Sequence, residues 1–332
     1  MKAGAIHHNV DMADGSNWDR VPIEPQSIDA PLSRYAVFLV VNIAEGDAAL
    51  ATVRDVLSDP GALVRTVGFR DLDGRLSCNI GIGSAAWDRL GITPRPAQLR
   101  PFSAIQGVAH NAPSTPGDLL FHIRAERDDL CFEFEKLLLA ALGGAVTVVD
   151  EVQGFRYFEA RDLLGFVDGT ENPTGRAMLE SALVSADDDP EFTGGSYVVV
   201  QKYLHDLTAW AALGTSEQEA IIGRTKADNV ELELAEGARP SHKDLNTITD
   251  ADGTEHDILR DNMPFGRPGQ AEFGTYFIGY AGQLWVIERM LQRMFQGAPP
   301  GQYDRILDVS TAVTGTTFFV PQIAVLESLA VE

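Results

Sequence analysis

The chain has 332 residues, enough for about two domains, and its 45% hydrophobic and 22% charged content is that of a globular rather than a disordered protein. Lys and Arg number 26 against 48 Asp and Glu, a formal charge of −22 that repels nucleic-acid phosphates and anionic lipid headgroups and favours cations. Cys78 and Cys131 show no CxxC spacing and read as reduced, buried thiols. MKAGAIHHNVDMADGS contains no apolar leader, and no run approaches the length of a membrane span, so the expectation is a cytoplasmic protein.

Residues 1–33, with Pro22, Pro25 and Pro31, read as a polar arm. Residues 35–43 (YAVFLVVNI) form a β-prone run, followed by Leu50, Val53, Val56 and Leu57 at helical spacing. Residues 119–123 (LLFHI) predict a second strand, with Leu130, Phe134, Leu137 and Leu138 marking the helix behind it, and residues 145–149 (AVTVV) a third. The alternation returns at residues 197–200, before Leu204, Leu207, Trp210 and Leu213, and at residues 275–280 (TYFIGY), before Leu284, Ile287, Leu291 and Phe295. Two strand–helix pairs recurring in order at nearly one offset predict duplication of an α+β unit. Each unit is expected to be an antiparallel sheet with helices on one face, of ferredoxin-like type. The expected organisation is an arm over 1–33, a first unit over 34–160 and a second over 161–332.

Two segments are dense in chemistry. In residues 164–174 (LGFVDGTENPT), Gly165 and Gly169 bracket Asp168. This presents an acid at a turn where backbone can approach a flat ligand, although the same pattern suits an Asp that only caps a turn. In residues 240–266, His242 follows a proline and Asp252-Gly253 makes a hairpin turn. A strand through Ile258, Arg260 and Asn262 then puts the last two on one face, as a donor-rich wall or a solvated edge. The other histidines carry no ligand spacing: His7 and His8 lie in the arm, His110 in a loop and His256 in the hairpin. His122 alternates away from Phe121 and Ile123, and His205 opens a helix.

GFVDGTENP, then SH at 241–242, then LRDNMPFG, together with DLLFHIRAE, VQKYLHDL, GTYFIGYA and RILDVSTAVTG, resemble the dye-decolorizing haem peroxidases of the B-type branch. The resemblance runs from about Tyr35 to the end. It implies a pair of ferredoxin-like units of the dimeric α+β barrel type, with haem b in the second. By the resemblance, His242 is the axial ligand of the iron, and Asp308 is the candidate to hold its other ring nitrogen. Asp168 and Arg260 are the distal acid and arginine, Asn262 is the amide beside them, Gly169 and Thr170 border the haem, and Arg224 pairs with a propionate. The implied activity uses hydrogen peroxide to form a ferryl–porphyrin radical that oxidises dyes, phenols or Mn(II) in one-electron steps. Arg260 would stabilise the charge that develops as the O–O bond breaks, while Asp168 acts as base. Tyr203, Trp210, Tyr276, Tyr280, Trp285 and Tyr303 are candidate radical relays, and Glu171, Glu231 and Glu255 match an acidic cluster suited to Mn²⁺. The same residues would also serve a protein that releases iron from haem, or a haem store or sensor. Relatives assemble as dimers to hexamers, and some enter a protein shell through a Gly-, Ser- and Leu-rich tail that the ending LESLAVE does not resemble.

Overall fold

A computed structural model describes residues 26–330; His7, His8 and most of the expected arm lie outside the described residues. The end of that arm belongs to the core rather than to solvent. Gln26 is buried, donating to the carbonyls of Ile80 (3.0 Å) and Pro321 (2.9 Å) and accepting from the Ile80 N–H (2.7 Å), and Ile28 is buried close by. Three hydrogen bonds offset most of the cost of burying its amide.

Among the described residues there are fourteen strands: β1 (Tyr35–Ile43), β2 (Ser77–Gly83), β3 (Ile105–Gln106), β4 (Asn111–Ala112), β5 (Leu119–Ala125), β6 (Val146–Phe155), β7 (Ser196–His205), β8 (Ile248–Thr249), β9 (Glu255–His256), β10 (Leu259–Arg260), β11 (Met263–Arg267), β12 (Glu272–Ala281), β13 (Ser310–Ala312) and β14 (Thr316–Val320). Ten make one antiparallel sheet in the order β10-β12-β7-β14-β2-β5-β1-β6, with β11 also on β12 and β13 also on β7. The pairs β3–β4 and β8–β9 are separate hairpins. The mixed α+β class with antiparallel strands is as expected. Instead of one separate sheet per unit, a single sheet runs through both, joined at β14 against β2, where Phe318 pairs with Gly83 and Phe319 with Ile82.

Alternation along β1 feeds two cores. Val37, Leu39 and Val41 pack with Leu130, Phe134 and Leu138 of the helix Asp128–Leu142, while Phe38 and Val40 join Leu120, Val198, Val200, Tyr276 and Phe318. Each such side chain stabilises the fold by about 1.5–3 kcal/mol on leaving water. The second core exists because the sheet curls: a Cβ on Gly154 of β6 would lie 2.6 Å from Met263 Cβ of β11, so the far strands meet. His122 faces this inner core. It is fully buried and stacks on Phe38 with ring centroids 4.8 Å apart.

Two expected elements shift. Leu204 lies in β7, and the helix Leu207–Ala212 starts only after Asp206, whose carboxylate accepts the Ala209 N–H (2.9 Å). The strand expected through Ile258, Arg260 and Asn262 is broken at 261–262 into β10 and β11. Beyond β12, the helix Leu284–Gln296 buries Leu284, Ile287, Leu291 and Phe295 as their spacing predicts. Among the described residues, no helix is long and apolar enough to cross a membrane.

Candidate active site

The helix Leu284–Gln296, strands β7, β10 and β12, and the loop after β6 border a cavity. Its lining includes Asp162, Asp168, His205, His242, Arg260, Asn262, Met290 and Met294. An adjoining cleft shares Asp168, His242 and Arg260 and adds Gly169, Thr170, Glu171, Arg224 and Glu255. A third shares Asp168, Arg260 and Asn262 and adds Arg156, Arg161 and Asp261. The structure therefore gathers His242, Asp168, Arg260 and Asn262 around one space.

His242 opens the short helix His242–Asn246. The preceding Ser241 forms a capping box: its hydroxyl accepts the Asp244 N–H (3.2 Å), and the Asp244 carboxylate accepts the Ser241 N–H (2.9 Å). Nδ1 of His242 lies 2.6 Å from Asp304 Oδ2. The Asp304 side chain is 1% exposed and that of His242 is 31% exposed, so a buried carboxylate holds a ring that reaches the cavity. Burial opposes protonation of His242, but the charge and hydrogen bond of Asp304 outweigh it and hold the pKa above its ordinary value. Nε2 has no hydrogen-bond partner among the described residues.

The carboxylate beside His242 is thus Asp304, and the expectation of Asp308 is corrected. Asp308 accepts from the Tyr303 hydroxyl (3.0 Å) and lies 3.0 Å from His110 Nε2. The physical reason is the 3-10 turn Arg305–Asp308. Asp304 is its N-cap, accepting the Ile306 N–H (3.1 Å), and so sits at the buried end, while Asp308 closes the turn on the outer side.

His205, expected at a helix start, ends β7 and lines the cavity. Both its nitrogens are engaged, Nε2 with Thr275 Oγ1 (2.9 Å) and Nδ1 with Ser310 Oγ (2.8 Å), and burial pushes its pKa down to about 4. With no nitrogen free, His205 is unsuited to ligate a metal. His242 is suited to it.

The loop carrying Asp168 is tied down from below. Arg161 donates to the carbonyls of Gly165 and Lys226, both at 2.8 Å, and the Asp168 N–H donates to the Ala160 carbonyl (2.8 Å). Gly165 (φ 93°) and Gly169 (φ 75°) adopt left-handed conformations that a side chain would strain. Asp162 accepts the Phe166 N–H (2.9 Å), and burial, aided by the charge of Asp168, raises its pKa to about 7. Nothing in its local sequence marks this second cavity acid. Arg260 has a buried Nε without a partner, whereas Asn262 Oδ1 accepts the Ile278 N–H (3.1 Å).

Arg224 donates to Glu171 and, through Nε, to Asn229 Oδ1 (2.8 Å); the Asn229 amide in turn donates to Thr170 Oγ1 (2.9 Å). Glu231 accepts from Lys243 and lies 3.8 Å from Arg224. Glu171 and Glu231 are therefore already neutralised by cations. Glu171 and Glu255 line the adjoining cleft, and among the described residues no three His, Cys, Asp or Glu side chains are grouped to hold a metal ion. Of the candidate relays, Tyr203, Trp210, Tyr276 and Tyr280 are buried, while Trp285 and Tyr303 are partly exposed.

Comparison with known proteins places the chain in a family. Residues 25–156 match the family Dyp-type peroxidase, N-terminal, and residues 159–325 match Dyp-type peroxidase, C-terminal. The chain is similar to the dye-decolorizing peroxidases of Mycolicibacterium paratuberculosis (56% identity over 306 residues, 92% of this chain and 86% of that one) and Mycobacterium tuberculosis (54% over 308 residues, 92% and 90%). It also resembles the solved structure of DyPB from Rhodococcus jostii RHA1, with 58% identity, a TM-score of 0.89, and 92% of this chain and 97% of that one covered. A variant of that protein in complex with heme is equally close (58%, 0.89, 92% and 98%), and the encapsulated DyP-type peroxidase of Mycobacterium smegmatis is nearly so (55%, 0.88, 92% and 97%). The chain belongs to the Dyp-type peroxidase family, on the B-type branch.

Proposed function

We propose that this chain is a haem b peroxidase that uses His242 as axial ligand and Arg260 as the group that drives peroxide cleavage. The observation that carries the reading is the pairing, in one cavity, of an imidazole held by a buried carboxylate with an arginine whose Nε is buried and unpartnered. The donor set fits a haem. Nε2 of His242 is the free ligand atom, Asp304 fixes the ring through Nδ1, and Ile258, Phe277, Met290, Leu291 and Met294 offer an apolar wall to a porphyrin. Arg224 in the adjoining cleft would hold the haem carboxylates.

When bound, the haem supplies an iron centre that takes up the oxidising equivalents of hydrogen peroxide and passes them to donors one electron at a time. The protein groups supply the rest. Asp304 makes His242 a stronger electron donor by sharing the Nδ1 proton. Asp168 accepts the proton of one peroxide oxygen and delivers it to the other, so that water can leave. Arg260 stabilises the negative charge that builds on the leaving oxygen. Dyes and phenols are the donors we assign.

The test is to load the chain with haem, record its absorption spectrum and add one equivalent of peroxide. A rapid spectral change followed by donor oxidation is expected for the wild type. Full haem occupancy with no response to peroxide would point to a store or sensor, and metal-free porphyrin appearing under reducing conditions would point to iron release.

A further inference from the structure

The Arg260 guanidinium makes no ion pair or hydrogen bond among the described residues, so its place is set through its main chain. That main chain lies at an edge. β10 has two residues and is the terminal strand in the sheet order, paired only with β12. The Asp261 N–H donates inward to the Ile278 carbonyl (3.2 Å), so by antiparallel alternation the N–H and carbonyl of Arg260 face outward, where a further strand would pair with them. No strand is there. Instead, the Arg260 N–H donates to Asn172 Oδ1 (2.9 Å), and Asn172 Nδ2 donates to the Arg260 carbonyl (2.6 Å). One carboxamide satisfies both exposed main-chain groups of one residue.

Asn172 belongs to the loop that presents Asp168. Its N–H donates to the Gly169 carbonyl (3.2 Å), closing a turn over residues 169–172 directly after Asp168. Asn229 fastens the same turn through Thr170. On its far side, Asp261 is locked to Arg124 of β5 (2.8 Å), with both side chains almost wholly buried. Arg260 is thus gripped from one side by the sheet and from the other by the turn that carries the second member of its pair.

We propose that Asn172 is a positioning residue: its carboxamide takes the place of a missing strand on β10 and fixes Arg260 in register with Asp168. The proposal rests on the reading of Arg260 as the residue that assists peroxide cleavage. Misplacing such a group by about 1 Å can cost on the order of a hundredfold in rate.

The test uses full-length, haem-loaded protein with Asn172→Ala, which removes both bonds, and the isosteric Asn172→Asp, which keeps the acceptor and removes the donor. Three quantities are measured: hydrogen exchange at the Arg260 amide, haem content, and kcat/KM for peroxide and for a phenolic donor separately. In Asn172→Ala the amide is expected to exchange more than about tenfold faster. Its kcat/KM for peroxide falls by about ten- to a hundredfold, while haem content and kcat/KM for the donor stay at wild-type values. Asn172→Asp falls between the two and keeps most of the amide protection. Unchanged exchange or unchanged peroxide kinetics overturns the proposal, as does a parallel loss of haem and of both kcat/KM values. Arg260→Leu run alongside separates the two ideas: wild-type peroxide kinetics in that variant would refute the role of Arg260 itself, whatever Asn172→Ala does to amide exchange.

Discussion

Two helices that follow equivalent strands meet the sheet differently. Behind β5, the helix Asp128–Leu142 packs on β5 and β1, burying Leu130, Cys131, Phe134, Leu138 and Leu142. Behind β12, the helix Leu284–Gln296 buries a similar stripe, but Met290, Leu291 and Met294 border open space. Between β7 and β10 the chain forms the helix His242–Asn246 and ties its end, through the Thr247 carbonyl, to Arg293 (2.6 Å). That short helix supplies the cavity's free imidazole beside the second helix. A strand–helix pattern that closes a core in one half borders a binding cavity in the other.

The largest expected effect breaks the second half alone. His242→Ala should lose its haem, read as the haem-to-protein ratio after desalting, whereas His205→Gln should keep it; the reverse pattern would contradict the assignment. Next comes the contact that unites the halves. Arg124→Met strands the Asp261 carboxylate in the core and should cost about 3–5 kcal/mol in denaturant unfolding. Removing the exposed Arg176–Glu180 pair, with side chains 90% and 61% exposed, should cost at most about 0.5 kcal/mol. The helices themselves provide a finer comparison. Leu138→Ala should destabilise the haem-free protein by about 2–5 kcal/mol, and Met294→Ala by clearly less, because Met294 already borders a cavity. Equal costs would show that the second helix packs as tightly as the first.

A further effect is one of pH. His205 is held neutral, with its pKa lowered from 6.5 to about 4 by burial. A base whose folded pKa is depressed binds fewer protons folded than unfolded. Its contribution is therefore complete above pH 6.5 and declines as pH falls toward 4. Over that interval the wild type should lose stability more steeply than His205→Gln, and parallel curves would contradict this.

Much of the fold is legible in the sequence where a run carries its own signal. Residues 35–43 read as a strand because a continuous apolar run suits a strand buried on both faces. β2 (SCNIGIG) does not, since its glycines make sense only in three dimensions: a Cβ on Gly81 would lie 2.9 Å from Phe318 Cβ of β14. The cavity residues Asp168 and Arg260 stand in motifs long enough to recognise, but His242 becomes visible only through the resemblance, because a lone histidine after a serine has no periodicity. Asp304 and Asp308 flank one short turn, and only its capping geometry decides which of them is buried. Asn172 lies within the most conspicuous string of the chain, yet its partner is the main chain of a residue 88 positions away.

The central claim, that Arg260 drives peroxide cleavage beside an iron held by His242, is tested most directly by stopped-flow absorption. Haem-loaded wild type and Arg260→Leu would be mixed with one equivalent of hydrogen peroxide at matched haem content. The account predicts identical resting spectra and a reaction slowed by about 10²–10³ in the variant, the usual cost of removing one preorganised donor from a developing charge. Equal rates in the two proteins would contradict it.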